Sequence, residues 1–320
     1  MKSTWRAGIV AVAVTILVVT QAQSDDPGNA QHPSAAPLRG KEPGDFRDDN
    51  SLKMKLVWCP PGFFKMENVG VVIEPAAVNV DEQSDDDFDP KDEPSPRPRQ
   101  TVQITPVKVF LSNGYWLGKF EVTQSEYRQV METEPWKGRD STKEGADFPA
   151  TWVSWNDAIE FCRKLTEQER VAGRLSNDWI YTLPTEAQWE RACRARTETR
   201  FSFGDTVLRL GDYAWFEGNA FNAGEAYAHQ VGHKRANPWG LFDMHGNAWE
   251  WCLDVYTEKL IGGRDPEVKL VEKRQELLRV GRGGGWDIGG EFCRSGFRCG
   301  NQPDLRFRIG GFRLALSAVR

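Results

Sequence analysis

Apolar residues recur at helical spacing in three places along this chain, each announced by a capping box. Thr123 with Glu126 opens the first, Ser154 with Asp157 the second and Thr185 with Gln188 the third. In such a box a hydroxyl accepts from an early backbone N–H, and the side chain three positions on reaches back. After Ser154, the residues Ala158, Phe161, Cys162 and Leu165 fall where one helix face is buried. After Thr185, the run Ala187, Trp189, Ala192 and Cys193 predicts a largely buried helix. Short β-forming runs predict strands over Val102–Thr105, Val107–Leu111, Tyr115–Phe120 and Phe201–Phe203. The second half is rich in Gly and Trp and has no long periodic segment. The pattern predicts an α+β domain with much irregular structure, its core made of aromatic rings and disulfides rather than regular layers.

The ends of the chain follow a different pattern. A basic Met1–Arg6, an apolar Ala7–Val19 and then Thr20-Gln21-Ala22 predict a signal peptide over residues 1–22. The apolar run is short for a bilayer span, with an uncleaved anchor as the alternative. No other long apolar segment follows, so the mature chain is expected to be soluble, without a stable membrane span, and secreted or periplasmic. Residues 23–53 are rich in Pro, Gly, Asp and Ser and are expected to form a disordered leader, with one folded domain over 54–320. Asp81 to Arg99 is an acidic, then Pro-rich, run read as a solvated insertion, 81–99.

Charge and cysteines narrow the partners. A net charge of -5 with no basic stripe argues against nucleic acid. Export makes disulfides available to the six cysteines, whose pairing sequence alone does not choose. None forms a CxxC pair, so a zinc cluster is disfavoured. His229 and His233 are separated by what reads as a strand-like connection rather than a helix, and His245 lies inside a turn.

That turn is the densest chemistry in the chain. Trp239 to Cys252 reads WGLFDMHGNAWEWC. Gly246 and Asn247 tolerate left-handed backbone, so a tight turn is expected there. Asp243 and Glu250 flank it and could aim oxygens at one hard cation such as calcium. From spacing alone the simpler reading is an acidic surface turn with an aromatic floor, because this is not the regular calcium loop.

Several separated motifs resemble one family. Val57 through Phe64 (VWCPPGFF), Gly118 through Thr123 (GKFEVT), Pro149 through Trp155, Leu183 through Glu190 (LPTEAQWE), the stretch above, Arg282 through Trp286 (RGGGW) and Gly311 through Leu314 (GFRL) occur in the order of the formylglycine-generating enzyme, or sulfatase-modifying-factor, family. The resemblance implies a modified C-type-lectin-like fold, low in regular secondary structure. It also implies calcium bound by side chains of Asp243 and Glu250 and carbonyls of Gly246 and Ala248. The family's other calcium site has no convincing counterpart in Trp215 to Glu225.

Oxidase members of the family hold a pair of active-site cysteines after an RGGS segment, where thiolates bind copper(I), activate oxygen and capture a substrate cysteine. Soft thiolates suit that ion. By resemblance, the candidate catalytic residue Cys293 takes the place of the second cysteine, and the first falls on Ile288. Gly285 replaces the serine of RGGS, and Ile309 stands where Asn is frequent. Cys193 and Cys299 match a structural disulfide of the family. Cys162 matches another structural cysteine, whose usual partner falls on Leu314. The iron-dependent sulfur-transfer branch of the family is not expected here, because its histidine triad sits on an added helical domain.

Two functions follow as expectations. One is a binding or accessory module, with Trp249, Trp286 and Cys293 beside a groove that holds a peptide, glycan or other ligand, a sulfatase-like protein or peptide being the partner the resemblance implies. The other is an oxidase converting a substrate-protein cysteine to formylglycine with oxygen and copper. A fold alone does not choose between them. Arg294 and Arg298 could activate Cys293 by lowering its pKa, and the alternative is a buried, inert thiol.

Overall fold

The computed structural model describes residues 38–74, 99–269 and 277–319. In chain order these contain β1 (Phe46–Arg47), β2 (Leu56–Cys59), β3 (Gly62–Glu74), β4 (Arg99–Leu111), β5 (Tyr115–Gly118), α1 (Gln124–Met131), α2 (Trp155–Val171), β6 (Trp179–Thr182) and α3 (Glu186–Arg194). They continue with α4 (Leu210–Tyr213), β7 (Trp249–Val255), β8 (Gly263–Arg264), β9 (Arg279–Arg282), β10 (Arg298–Asn301), β11 (Gly310–Gly311) and β12 (Ala315–Ala318). Long irregular loops separate the short elements of the second half, as its lack of periodicity predicts.

All three capping boxes form, at Thr123, Ser154 and Thr185. They start α1, α2 and α3, because each hydroxyl satisfies an N–H that has no helical partner. Three sheets surround them: a five-stranded sheet ordered β1-β2-β5-β12-β6, a four-stranded sheet ordered β10-β9-β7-β11, and the ribbon β3-β4-β8. The two strands expected over Val102–Leu111 are one, β4, paired residue by residue with β3 from Leu111↔Gly62 to Arg99↔Glu74. Phe201–Phe203 is a tight turn closed by the Phe201↔Gly204 bridge rather than a strand.

One apolar cluster fills the space between the five-stranded sheet and helices α1 and α2, with Trp58, Trp116, Tyr127, Phe161, Leu165 and Phe312 at its centre. A second lies under α3, with Tyr115, Leu117, Trp189, Ala192, Cys252 and Val280. The outer edge of β6 is closed by α2. Thr166 Oγ1 accepts from Tyr181 N at 3.1 Å and donates to Tyr181 O at 3.2 Å, and Arg170 Nη2 donates to Trp179 O at 3.0 Å. These contacts cap a strand edge that would otherwise template further pairing.

Two expectations about boundaries change. The domain begins before residue 54: β1 pairs with β2, Leu38 is buried, and Trp116 Nε1 donates to Leu38 O at 2.5 Å. Residues 38–53 are therefore part of the fold, held by hydrogen bonds that their polar composition hides. The signal peptide 1–22 and most of the acidic insertion lie outside the described residues; Arg99 is the first residue of β4.

Candidate functional site

Helix α3 sets the frame. All nine of its residues are buried, including Glu186, Glu190, Arg191 and Arg194. Glu186 pairs with Arg298 at 2.6 Å and Arg282 at 2.9 Å, and Glu190 pairs with Arg282 at 2.6 Å and Arg194 at 2.8 Å. Buried charges persist only when paired in this way. The network ties α3 to β9 and β10.

It also explains why the expected Cys193–Cys299 disulfide is not formed. Side chains alternate along a strand, and Arg298 points at α3. Cys299 therefore turns to the opposite face, where it joins Phe297 and Trp249. Its thiol contacts Gly281 O at 3.6 Å, whereas that of Cys193 contacts Met244 O at 3.6 Å and the His245 ring. All six cysteines are unbonded in the structure.

The loop before β7 forms the expected turn. Asp243, Gly246 and Asn247 have φ of 57°, 128° and 62°. A Cβ at Gly246 would lie 2.2 Å from Trp215 O, so only glycine fits. Asn247, fully buried, is the hub. Its N–H donates to Trp215 O at 2.7 Å, and its carbonyl accepts from Trp286 N at 3.0 Å. Its Oδ1 accepts from His229 N at 2.8 Å and its Nδ2 donates to Glu121 Oε1 at 2.9 Å.

At the acid end of this hub Glu121, Asp243 and Glu250 are all buried, facing one guanidinium. Arg313 donates to both Glu250 oxygens at 2.6 Å and to the carbonyls of Gly118 and Phe242 at 2.9 Å. Trp189 Nε1 donates to Glu250 Oε2 at 2.6 Å. Asp243 Oδ2 accepts from Gly232 N at 2.7 Å. Two buried oxygens have no partner: Asp243 Oδ1 and Glu121 Oε2. Burial pushes Asp243 up to about 6 against the pull of Gly232 N–H and Arg313. Burial, then the Asp243 carboxylate, pushes Glu121 well above its ordinary value.

Tested against calcium, the donor set fits with one change. Glu250 is committed to Arg313 and Trp189, and the unsatisfied carboxylate oxygens belong to Asp243 and to Glu121, a residue the turn motif did not contain. Hard carboxylate oxygens are what calcium binds, and both of these acids also lie in the field of Arg313. Among the described residues no group of three or more His, Cys, Asp or Glu is arranged as a metal cluster. Carbonyls would have to complete the shell.

At the other end lie the indoles. Trp215 stacks on His229 with centroids 3.8 Å apart and planes 7° apart, and Lys234 Nζ sits 3.8 Å from the Trp215 centroid. His229 Nε2 lies 2.9 Å from Glu225, and burial lowers its pKa. His229 and His233 share no helix, as expected. Trp249 and Trp286, expected as groove walls, are buried in one cluster with Ile309, against which Trp215 and Ile288 pack. That is a correction: they are core rings, and the surface over Trp286 is made by Phe221 and Arg308.

The expected catalytic centre has become apolar. Ile288 packs against the cluster of Trp286 and Ile309. A Cβ at Gly285 would lie 3.2 Å from Ile309 Cβ, so the two positions where the family resemblance suggests Ser and Asn form a packed contact instead. Cys293 is fully buried with Phe201, Leu210 and Ala214, and burial pushes its thiol up to about 12. The arginines that could activate it are occupied, Arg298 by Glu186 and Arg294 by Glu291. His245 braces it from behind. Ser202 N donates to Nε2 at 3.1 Å, which leaves the proton on Nδ1 to donate to Cys293 O at 2.9 Å. Burial lowers the His245 pKa to about 4, so the ring is neutral. Copper(I) does not fit this donor set, because Ile288 offers no donor and Cys293 is a single, fully buried thiol packed among apolar side chains.

Glu121, Arg313, Asp287 and Arg308 are not singled out by the sequence, which marks Asn247 for its backbone and not for its side chain. Glu121 and Arg313 lie inside the GKFEVT and GFRL motifs, and that placement was the available signal.

This fold and site define a lectin-like scaffold of the sulfatase-modifying kind, and comparison with known proteins agrees. The profile of the sulfatase-modifying factor enzyme 1-like domain matches residues 44–318, so the chain belongs to that family. It is 27% identical over 210 residues to a chaperone protein, LppX, of Paenibacillus barcinonensis, covering 54% of this chain and 69% of that protein. It is 30% identical over 224 residues to the formylglycine-generating enzyme of Bos taurus, covering 61% of this chain and 54% of the enzyme. The chain thus spans about half the length of that enzyme. The solved structure of PvdO from Pseudomonas aeruginosa superposes with a TM-score of 0.62 at 22% identity, covering 87% of this chain and 99% of PvdO, and so shares the fold. Among the described residues no helix is long and apolar enough to cross a membrane.

Proposed function

We propose that this chain is an exported binding or accessory member of the sulfatase-modifying-factor family in which the oxidase chemistry has been lost. The observation that carries the reading is the apolar packing of Ile288, Gly285 and Ile309 where an oxidase would need polar and thiolate groups. Cys293 alone, fully buried and held as a thiol, supplies neither a second ligand nor a nucleophile. The kinship with a chaperone supports an accessory role, and the kinship with formylglycine-generating enzymes supports a sulfatase-like protein or peptide as the partner. The face formed by Phe221, Arg308 and Asp287 over Trp286 is the ligand-binding surface.

Calcium belongs to this proposal as a structural ion. Asp243 and Glu121 would hold it with their free oxygens, together with the carbonyls of Gly246 and Ala248, and it would neutralise the acid end of the Asn247 hub. Glu250 serves there through Arg313. Competition with a colourless-to-coloured copper(I) chelator tests the loss of oxidase chemistry. Wild type and Cys293→Ser are expected to leave all the copper with the chelator. Retention of one copper(I) by wild type and not by the variant would sink the reading.

A further inference from the structure

Helix α2 and the outer edge of β6 enclose a groove of about 650 Å³, walled by Ile159, Cys162 and Val171 of the helix and by Ile180 and Thr182 of the strand. A volume of that size lies in the range of small-molecule sites. Val171, the last residue of α2, is 85% exposed, and Cys162 is unbonded and serves as a small apolar wall. The backbone of β6 is already taken on this side, by Thr166 at Tyr181 and by Arg170 at Trp179. An added peptide strand needs those groups free, so the occupant is recognised through the walls and not through the strand edge.

Ile180 and Thr182 also line a second cavity of about 170 Å³, together with Leu253 and Ala318. Side chains alternate along a strand, so Ile180 and Thr182 face away from Tyr181, which packs into the cluster of Phe161 and Leu165. The two cavities therefore meet at the edge of the sheet, and an apolar path turns around it. A flexible chain can follow such a path, whereas a rigid ring system cannot.

Arg170 also lines the larger cavity. Its Nη2 donates to Asn177 O at 3.4 Å and Trp179 O at 3.0 Å, and its Nε is buried without a partner. Both acceptors are neutral carbonyls, so they leave the guanidinium charge uncompensated. Arg163, on the same face of α2, is held instead by Glu160 at 2.8 Å and Glu167 at 3.1 Å. A charged donor with an unused N–H favours an anionic acceptor, since such bonds are the stronger ones.

We propose that this groove binds an alkyl-chain monocarboxylate, a fatty-acid-like ligand whose carboxylate sits on Arg170 and whose chain runs over Ile159 and Ile180 around the sheet edge. A neutral amphiphile leaves the guanidinium charge unmatched, and a bare anion leaves the apolar walls wet. The groove shares no residue with the face over Trp286, so it is a second site beyond the function proposed above.

The experiment titrates the whole chain with decanoate below its aggregation limit, with decanol as the uncharged chain and acetate as the chainless anion. Binding is read by calorimetry and by the methyl resonances of Ile159 and Ile180. Wild type is expected to bind decanoate saturably and decanol at least ~10-fold more weakly, a difference of about 1.4 kcal/mol, while acetate leaves the methyls unmoved. Arg170→Gln is expected to bring decanoate down to the level of decanol. Equal affinity of wild type and Arg170→Gln for decanoate, or methyls that move no more with decanoate than with acetate, would overturn the proposal. Should Arg170→Gln misfold, because it also loses the Asn177 and Trp179 carbonyls, Val171→Asp at its exposed position decides: it must weaken decanoate and leave decanol unchanged, and unweakened decanoate overturns the proposal. Copper retention and product mass do not involve this groove, so a failure here leaves the proposed function standing.

Discussion

Arg313→Met should be among the most damaging single changes in the acid end of the site. The guanidinium is fully buried and makes two 2.6 Å bonds to Glu250 and two 2.9 Å bonds to the carbonyls of Gly118 and Phe242. Methionine keeps the unbranched apolar stem and loses all four. Removing one partner of a buried ion pair costs roughly 3–5 kcal/mol, because the other charge is left uncompensated. Each orphaned carbonyl adds about 1 kcal/mol. Glu121 and Asp243 also lose the neighbouring cation, but their raised pKa values let them take up protons instead. The sum is roughly 5–7 kcal/mol, or on the order of 10–20 °C in melting temperature for a domain of this size. Guanidinium denaturation followed by tryptophan fluorescence, in chelator at pH 7.5, measures it. Arg313→Met/Glu250→Gln removes both charges and should regain at least ~2 kcal/mol, since contacting partners are not additive. A single-variant cost below ~1 kcal/mol, or a double variant as unstable as the two singles summed, would refute the reasoning.

Calcium is expected to raise the unfolding free energy by about 2.7 kcal/mol at a hundredfold excess over Kd, and Asp243→Asn or Glu121→Gln should abolish the gain. The gain should also shrink as pH falls through about 6, where Asp243 takes up a proton. Asp254 accepts from Glu186 N at 2.7 Å and Val268 N at 2.9 Å, and burial, then the Glu186 carboxylate, pushes it up to about 7. Its folded pKa lies above the unfolded one, so the folded state binds the extra proton and Asp254 costs least at low pH. Wild type should therefore gain stability relative to Asp254→Asn as pH falls from about 8 to 4, and a flat difference curve would contradict this. A thiol titration in denaturant without reductant should count six, with the native protein reacting slowly because five of the six are buried.

The helices were legible because capping is local: each box closes within three residues, and all three lie where the sequence placed them. The family turn was legible for the same reason, since Gly246 and Asn247 carry their backbone preference with them. What sequence did not reveal is what distance in the chain hides. Glu121 meets Asn247 across 126 positions, and Arg313 meets Glu250 across 63, so neither acid-end partner follows from the spacing of the turn. The disulfide expectation failed on strand alternation, because Arg298 takes the α3 side and sends Cys299 away from it. Composition alone makes residues 38–53 read as a leader. Asn50, whose side chain holds Met54 N at 2.9 Å and Met54 O at 2.8 Å, orders that segment with polar atoms that a hydrophobicity argument discounts.

The most direct test of the central claim is the mass of a Cys-x-Pro-x-Arg peptide after incubation in air with the protein and added copper(I). The account predicts an unchanged peptide thiol, since Ile288 and the buried Cys293 leave no thiolate pair to capture it. Loss of that thiol and appearance of the aldehyde, abolished in Cys293→Ser, would contradict it.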